Sequence, residues 1–150
     1  MTKKQAIDDF LAQKKFAILG VSRNPRKFGN AILTGMRIKG YEIIPVHPAA
    51  DTLEKEKCFR SISEIPFPVD GVILNIKPEE TEKVIDEISA AGIKRVWMQQ
   101  GSSSKPAIEK CIKYGINVIS GECILMFAQP MEFFHRAHRW IWGAIGKLPK

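Results

Sequence analysis

Three times along this chain a set of apolar residues at helical spacing is followed by a single glycine and then by a short apolar run. Ile32, Leu33 and Met36 lead to Gly40 and residues 41–46. Thr81, Val84, Ile85 and Ile88 lead to Gly92 and residues 95–98. Ile108, Cys111 and Ile112 lead to Gly115 and residues 116–120. Glycine just past a helix takes the left-handed cap at little cost. Short runs that are apolar at successive positions read as strands buried on both faces. Residues 16–19, which end at Gly20, and residues 72–76, which follow Asp70-Gly71, add two more strands. Strands alternating with helices require right-handed crossovers and a parallel sheet. The predicted fold is therefore α/β: a doubly wound, Rossmann-like, five-stranded parallel sheet with strand order 3-2-1-4-5.

Ile7, Phe10 and Leu11 share one face and predict a short helix before the first strand. Residues 48–68 carry no helical stripe and predict an irregular crossover with one helical turn around residues 61–65. With 150 residues and no linker or low-complexity tract, the chain reads as a single domain over residues 1–150. Residues 130–143 hold Met131, Phe133, Phe134, Ala137, Trp140, Ile141 and Trp142 and predict a last, aromatic-rich helix. Packing on the domain and a homodimer contact account for that helix equally well.

No apolar run reaches the roughly 18 residues needed to cross a bilayer, and the charged first fifteen residues lack a signal-peptide core. The expected setting is the cytoplasm, without membrane association. Cys58, Cys111 and Cys123 are odd in number and lack CxxC spacing, which argues against a disulfide framework or a zinc site. The formal charge of +7 fits a polyanionic partner. No long Lys/Arg run or nucleic-acid motif accompanies it, so a phosphate-rich small molecule is expected rather than nucleic acid.

Ligands of doubly wound sheets bind beyond the carboxyl ends of the strands, at the switch point. The leading candidate is the turn Gly20-Val21-Ser22-Arg23-Asn24-Pro25-Arg26-Lys27 between the first strand and the next helix. A helix N-terminus offers free amides and positive dipole to a phosphate. Gly20 allows close backbone approach, Ser22 carries a hydroxyl, and Arg23, Arg26 and Lys27 add charge. The turn is not G-x-G-x-x-G, because Ser22 and Pro25 stand where that fingerprint has glycines. The second strand ends Val46-His47-Pro48, without the acid that NAD enzymes use on the adenine ribose. Both departures count against NAD.

At this point the sequence resembles a known family. Gly20-x-Ser22 with Pro25, Val46-x-Pro48, Cys58-Phe59-Arg60-Ser61-Ile62 with Glu64-Ile65-Pro66, Asp70-Gly71-Val72-Ile73, Pro78, Val96-Trp97-Met98-Gln99-Gln100-Gly101 and Cys123 follow in the order and spacing of the small CoA-binding proteins. Those proteins are similar to the N-terminal CoA-binding domain of the succinyl-CoA synthetase α subunit. The resemblance runs from Phe16 to Met126. It implies a phosphate loop on residues 20–25, a contact on Val46, His47 and Pro48, and another on Leu74, Asn75, Ile76 and Lys77. It also implies a pantetheine arm directed toward Gln100, Gly101 and Cys123. The synthetase has a lysine shortly after its Val-x-Pro element where this chain has Ala50; Arg23 and Lys77 are the candidates to replace that charge. The synthetase's phosphorylated histidine belongs to a second domain absent from this sequence, so the resemblance carries over coenzyme A binding and not thioester synthesis.

Other chemistry is less well supported. Glu122 beside Cys123 opposes thiolate formation, which disfavours catalysis there. A mixed disulfide between Cys123 and the CoA thiol needs only access. His135 and His138 have i, i+3 spacing but no evident third metal ligand. Two competing readings stay open: an NAD(P)-dependent oxidoreductase or CoA-linked transferase, and a nucleotide-regulated interaction protein.

Overall fold

The computed structural model describes residues 1–128. The predicted aromatic helix and its dimer contact, with His135 and His138, lie outside the described residues. Among these, five strands form one parallel sheet: β1 (Lys15–Leu19), β2 (Glu42–Val46), β3 (Gly71–Leu74), β4 (Arg95–Met98) and β5 (Asn117–Ser120). Around it lie α1 (Lys3–Leu11), α2 (Phe28–Ile38), α3 (Pro78–Ala90), α4 (Lys105–Lys113) and the single turn α5 (Ile124–Phe127).

The helix-end glycines behave as their positions demand. Gly40, Gly92 and Gly115 have φ of +97°, +77° and +70°. The residue after each returns its amide to a carbonyl five residues back: Tyr41 to Met36, Ile93 to Ile88 and Ile116 to Cys111. That is the Schellman closure, and it aims each following strand back along the sheet. Ser104 caps α4 by accepting the Ala107 amide at 3.2 Å. The helical turn expected near residues 61–65 is a 3₁₀ turn at Ile62–Glu64.

Strand alternation sorts the core into two layers. Phe16, Ile18, Ile73, Trp97 and Ile119 face α1 and α2, whereas Ala17, Val72, Leu74, Val96 and Met98 face α3 and α4. Phe10 of α1 stacks on Phe16 with centroids 4.5 Å apart and meets Trp97 edge-on at 5.4 Å. The buried Trp97 indole donates to the Glu122 carbonyl at 2.9 Å, which seats the loop after β5.

The strand order is 2-1-3-4-5, not 3-2-1-4-5. β1 pairs on one side with β2 and on the other with β3, so Ala17 lies between Ile44 and Val72. β2 is consequently an edge strand. Its fourth residue is Pro45, which has no amide to give a neighbour, and proline belongs at sheet edges. The place expected for the third strand is taken by Phe59, whose amide donates to the Pro45 carbonyl at 3.1 Å and whose carbonyl accepts the His47 amide at 2.8 Å. A two-residue antiparallel ribbon, Thr52–Leu53 with Glu56–Lys57, precedes it in the crossover.

Candidate functional site

The corrected order puts the switch point between β1 and β3. A cleft of about 540 Å³ opens there, at the carboxyl ends of β1, β2 and β3. Leu19, Gly20, Val21 and Ser22 come from the first loop, Val46, His47 and Pro48 from the end of β2, and Ile76 from beyond β3. The cleft thus brings together three segments that are far apart in sequence.

Their internal bonding explains how the first loop is held. Ser22 and the buried Asn30 of α2 join twice: Asn30 Oδ1 accepts the Ser22 amide at 2.9 Å, and Asn30 Nδ2 donates to the Ser22 carbonyl at 2.8 Å. Asn30 Nδ2 also donates to Glu54 Oε1 at 2.7 Å. Ser22 Oγ accepts the Asn24 amide at 3.0 Å, which leaves its own hydroxyl proton to donate. Asn24 Oδ1 accepts the Arg26 amide at 3.1 Å. At the start of α2 the N-cap Lys27 makes no side-chain cap. The Phe28 and Gly29 amides have no acceptor among the described residues.

Gly20 serves the fold itself. Its φ is +107°, and a Cβ there would lie 2.1 Å from the Asn75 carbonyl oxygen. The close approach inferred for a ligand is made by the chain's own backbone. Gly29 has the same role on the other side, since a Cβ there would meet the Gly20 carbonyl at 1.9 Å.

The remaining sequence candidates divide. Arg23, Asn24, Pro25, Arg26 and Lys27 are exposed and lie outside the cleft lining. Arg23 reaches sideways to donate Nη2 to the Ala49 carbonyl just past β2. Leu74 is fully buried and packs in the α3–α4 core layer, so its side chain is no ligand contact. Asn75 lies under Gly20, and Lys77 is the exposed N-cap of α3. Gln100 and Gly101 follow β4, beyond the lining, and Gln100 Nε2 donates to the Gly121 carbonyl at 3.3 Å.

Sequence reasoning missed the opposite wall. Arg60, Ser61 and Ile62 enter from the crossover, and Glu80, Lys83, Val84 and Glu87 from α3. The spacing 80, 83, 84, 87 marks one helix flank, a signal present in the sequence but masked by the stronger apolar stripe through Ile85 and Ile88. Glu87 Oε1 accepts the Ser63 amide at 2.9 Å and ties α3 to the 3₁₀ turn. Leu19, Val46, Ile62, Ile76 and Val84 supply apolar surface, while Arg60 and Lys83 bring positive charge. An apolar slot with a few polar groups at its edge suits a flat heterocycle joined to an anionic chain. Among the described residues no group of His, Cys, Asp and Glu is placed to hold a metal, and no helix is long and apolar enough to cross a membrane.

A family model described as a CoA binding domain matches residues 14–129. The chain belongs to this family. It is 32% identical over 111 residues to the uncharacterized protein YneT of Bacillus subtilis, covering 74% of this chain and 82% of that one. It is 24% identical over 129 residues to the α subunit of an ADP-forming acetate–CoA ligase of Pyrococcus furiosus, of which it spans 28%. A solved structure of a conserved hypothetical protein from Pyrococcus furiosus superposes with a TM-score of 0.71 at 38% identity, covering 75% of this chain and 97% of that one. The family match begins just before β1 and so leaves α1 outside it.

Proposed function

We propose that this chain binds coenzyme A, or a close ADP-containing relative, in the cleft at the β1/β3 switch point, and carries out no chemistry of its own. The observation that carries the reading is the convergence of residues 20–22, Val46-His47-Pro48 and Ile76 on one cleft. In this reading the adenosine occupies the apolar slot between Val46, Ile62, Ile76 and Val84. The pyrophosphate lies against Ser22 and the open amides of Phe28 and Gly29, with Arg23, Arg26 and Lys27 supplying the surrounding positive charge. The pantetheine arm leaves toward Gln100 and Gly101. Membership of the CoA-binding family and likeness to an acetate–CoA ligase subunit support this choice of nucleotide. The lack of an acid directly after β2 weighs against NAD. Three free cysteines are in keeping with a reducing cytoplasm.

Thermal unfolding with CoA, dephospho-CoA, ADP and NAD tests the reading. A ligand that binds only the native state at a hundredfold excess over Kd stabilises it by about 2.7 kcal/mol. CoA is expected to raise the midpoint and NAD to leave it unchanged. An equal or larger shift with NAD overturns the assignment.

A further inference from the structure

We propose that β5 is an open pairing edge that takes the β5 of a second copy of this chain, running antiparallel, so that two five-stranded sheets join into one. The proposal is independent of the nucleotide reading, because the cleft opens at β1, β2 and β3 whereas β5 is the far edge of the sheet.

An open sheet has two edges, and an unguarded edge is a template for another strand. The two edges of this sheet differ. On the β2 side Pro45 lacks an amide, Arg37 Nη2 donates to the Ile43 carbonyl at 2.7 Å, and Phe59 pairs with Pro45 and His47. Along β5 stand Asn117, Val118, Ile119 and Ser120, with no proline and no charged side chain. Asn117 donates its amide to the Lys94 carbonyl at 2.9 Å, so its backbone groups face β4. Alternation turns the amides and carbonyls of Val118 and Ser120 the other way, and among the described residues no strand lies on that side.

Those groups line a groove of about 340 Å³ between the start of α1 and the end of α4. Its walls are apolar and open to solvent: Met1 is 74% exposed, and Ile112, which the helical spacing of α4 assigned to the core, is 67% exposed. Lys3 is the one charged side chain in the lining, and Glu122 neutralises it at 2.7 Å. Two chains of net charge +7 repel, so a neutral groove is where they approach at least cost. The edge is also complementary to itself. With Ile119 of each copy beside a two-fold axis perpendicular to the sheet, Val118 faces Ser120 of the partner subunit and Ser120 faces Val118 of the partner subunit. Each outward amide then meets an outward carbonyl. The same axis sets the two α1 helices side by side on one face and the two α4 helices on the other, which covers Met1 and Ile112. Antiparallel strands keep the two exposed Lys113 side chains, which precede β5, at opposite ends of the joint.

The test is the mass of the full chain in solution, read by sedimentation across a dilution series, with amide hydrogen exchange on the same samples. The parent is expected to reach twice the 16.9 kDa chain mass, with slow exchange at Val118 and Ser120. Ile112→Glu alters an exposed side chain and puts a carboxylate in the joint from each copy. It is expected to halve the mass and to speed exchange of both amides by about tenfold or more. Val118→Pro deletes one outward amide, a change that an edge strand accommodates, and is expected to halve the mass as well. If the proline variant does not fold, Ile112→Glu decides alone. A monomeric parent overturns the proposal, and protected Val118 and Ser120 amides in that monomer would assign the edge to residues 129–150 of the same chain. A dimer whose Val118 and Ser120 amides exchange fast, or whose mass is kept in Ile112→Glu or in a folded Val118→Pro, overturns it equally, because the contact then lies elsewhere.

Discussion

Asn30 holds Ser22 by both of its backbone groups, accepting its amide at 2.9 Å and donating to its carbonyl at 2.8 Å. The first loop is thereby shaped by a buried side chain in the first turn of α2. Its third contact, to Glu54, extends the clamp to the ribbon in the crossover. Removing the amide leaves partly buried backbone groups without their partners, which costs up to about 1–3 kcal/mol. Asn30→Ala is therefore expected to lower unfolding stability by that amount and to weaken CoA. Asn30→Asp is expected to be worse, because it sets a carboxylate against the Glu54 carboxylate and the Ser22 carbonyl. Urea unfolding of both variants checks the order; an alanine variant as stable as the parent would show that the clamp is dispensable.

Gly20 and Gly101 separate a steric demand from a conformational one. Both have positive φ, +107° and +84°, but a Cβ on Gly20 meets the Asn75 carbonyl at 2.1 Å whereas one on Gly101 meets nothing within 4 Å. Gly101→Ala is expected to cost roughly 1–2 kcal/mol, the price of a left-handed alanine. Gly20→Ala is expected to exceed that by at least about 1 kcal/mol of overpacking. The comparison is read from unfolding midpoints in the absence of ligand. Equal losses would mean that the β1 loop can move away from Asn75, and that Gly20 is free to serve a ligand instead.

The parts of the fold legible in the sequence are those set by neighbours along the chain. A helix ending in Gly40, Gly92 or Gly115 closes on itself within six residues, so the strand that follows can be placed without knowing its partners. Strand order is set by pairing between distant segments. Its one local trace was Pro45, which marks β2 as an edge and which the apolar run of residues 41–46 obscured. The site followed the same division. The first loop and Val46-His47-Pro48 carry motif residues, but Arg60, Lys83 and Glu87 join the cleft only because the crossover folds back beside α3.

Asp86 gives the fold an acid-sensitive tie between α3 and α4. Its carboxylate accepts Lys110 Nζ at 2.8 Å and the Tyr114 hydroxyl at 2.6 Å. Those bonds, the lysine's first, hold its pKa below the ordinary 3.8. A carboxyl depressed in the folded state stabilises it fully above the unfolded pKa. The contribution is lost as pH falls through the lower, folded value. The stability gap between the parent and Asp86→Asn is accordingly expected to be constant near neutrality and to shrink only below about pH 4. Because the group is at the surface, added salt is expected to narrow the gap at neutral pH. A gap that grows on acidification would contradict the sign of the shift.

The three cysteines are chemically unequal. Cys58 and Cys111 are buried, and burial pushes both thiols up, that of Cys111 to about 12. Thiolate is the reactive form, so both are expected to resist alkylation in the native protein. Cys123 is only partly buried, at the start of α5, where its Sγ accepts Gln99 Nε2 at 3.5 Å. The same Gln99 side chain takes the Ile124 amide through Oε1 at 2.8 Å, so the cysteine is held at the carboxyl edge of the sheet after β5. Iodoacetamide labelling followed by peptide mass spectrometry is expected to modify Cys123 first, with Cys58 and Cys111 following only on unfolding. Cys123→Ser is expected to abolish native labelling and to leave CoA affinity nearly unchanged, because the proposed site puts the phosphates and the adenosine in the cleft with residues 20–22. Comparable native labelling of Cys58 or Cys111 would show that the core opens on the timescale of the reaction. A loss of CoA affinity in a folded Cys123→Ser protein would bring the end of β5 into the binding site.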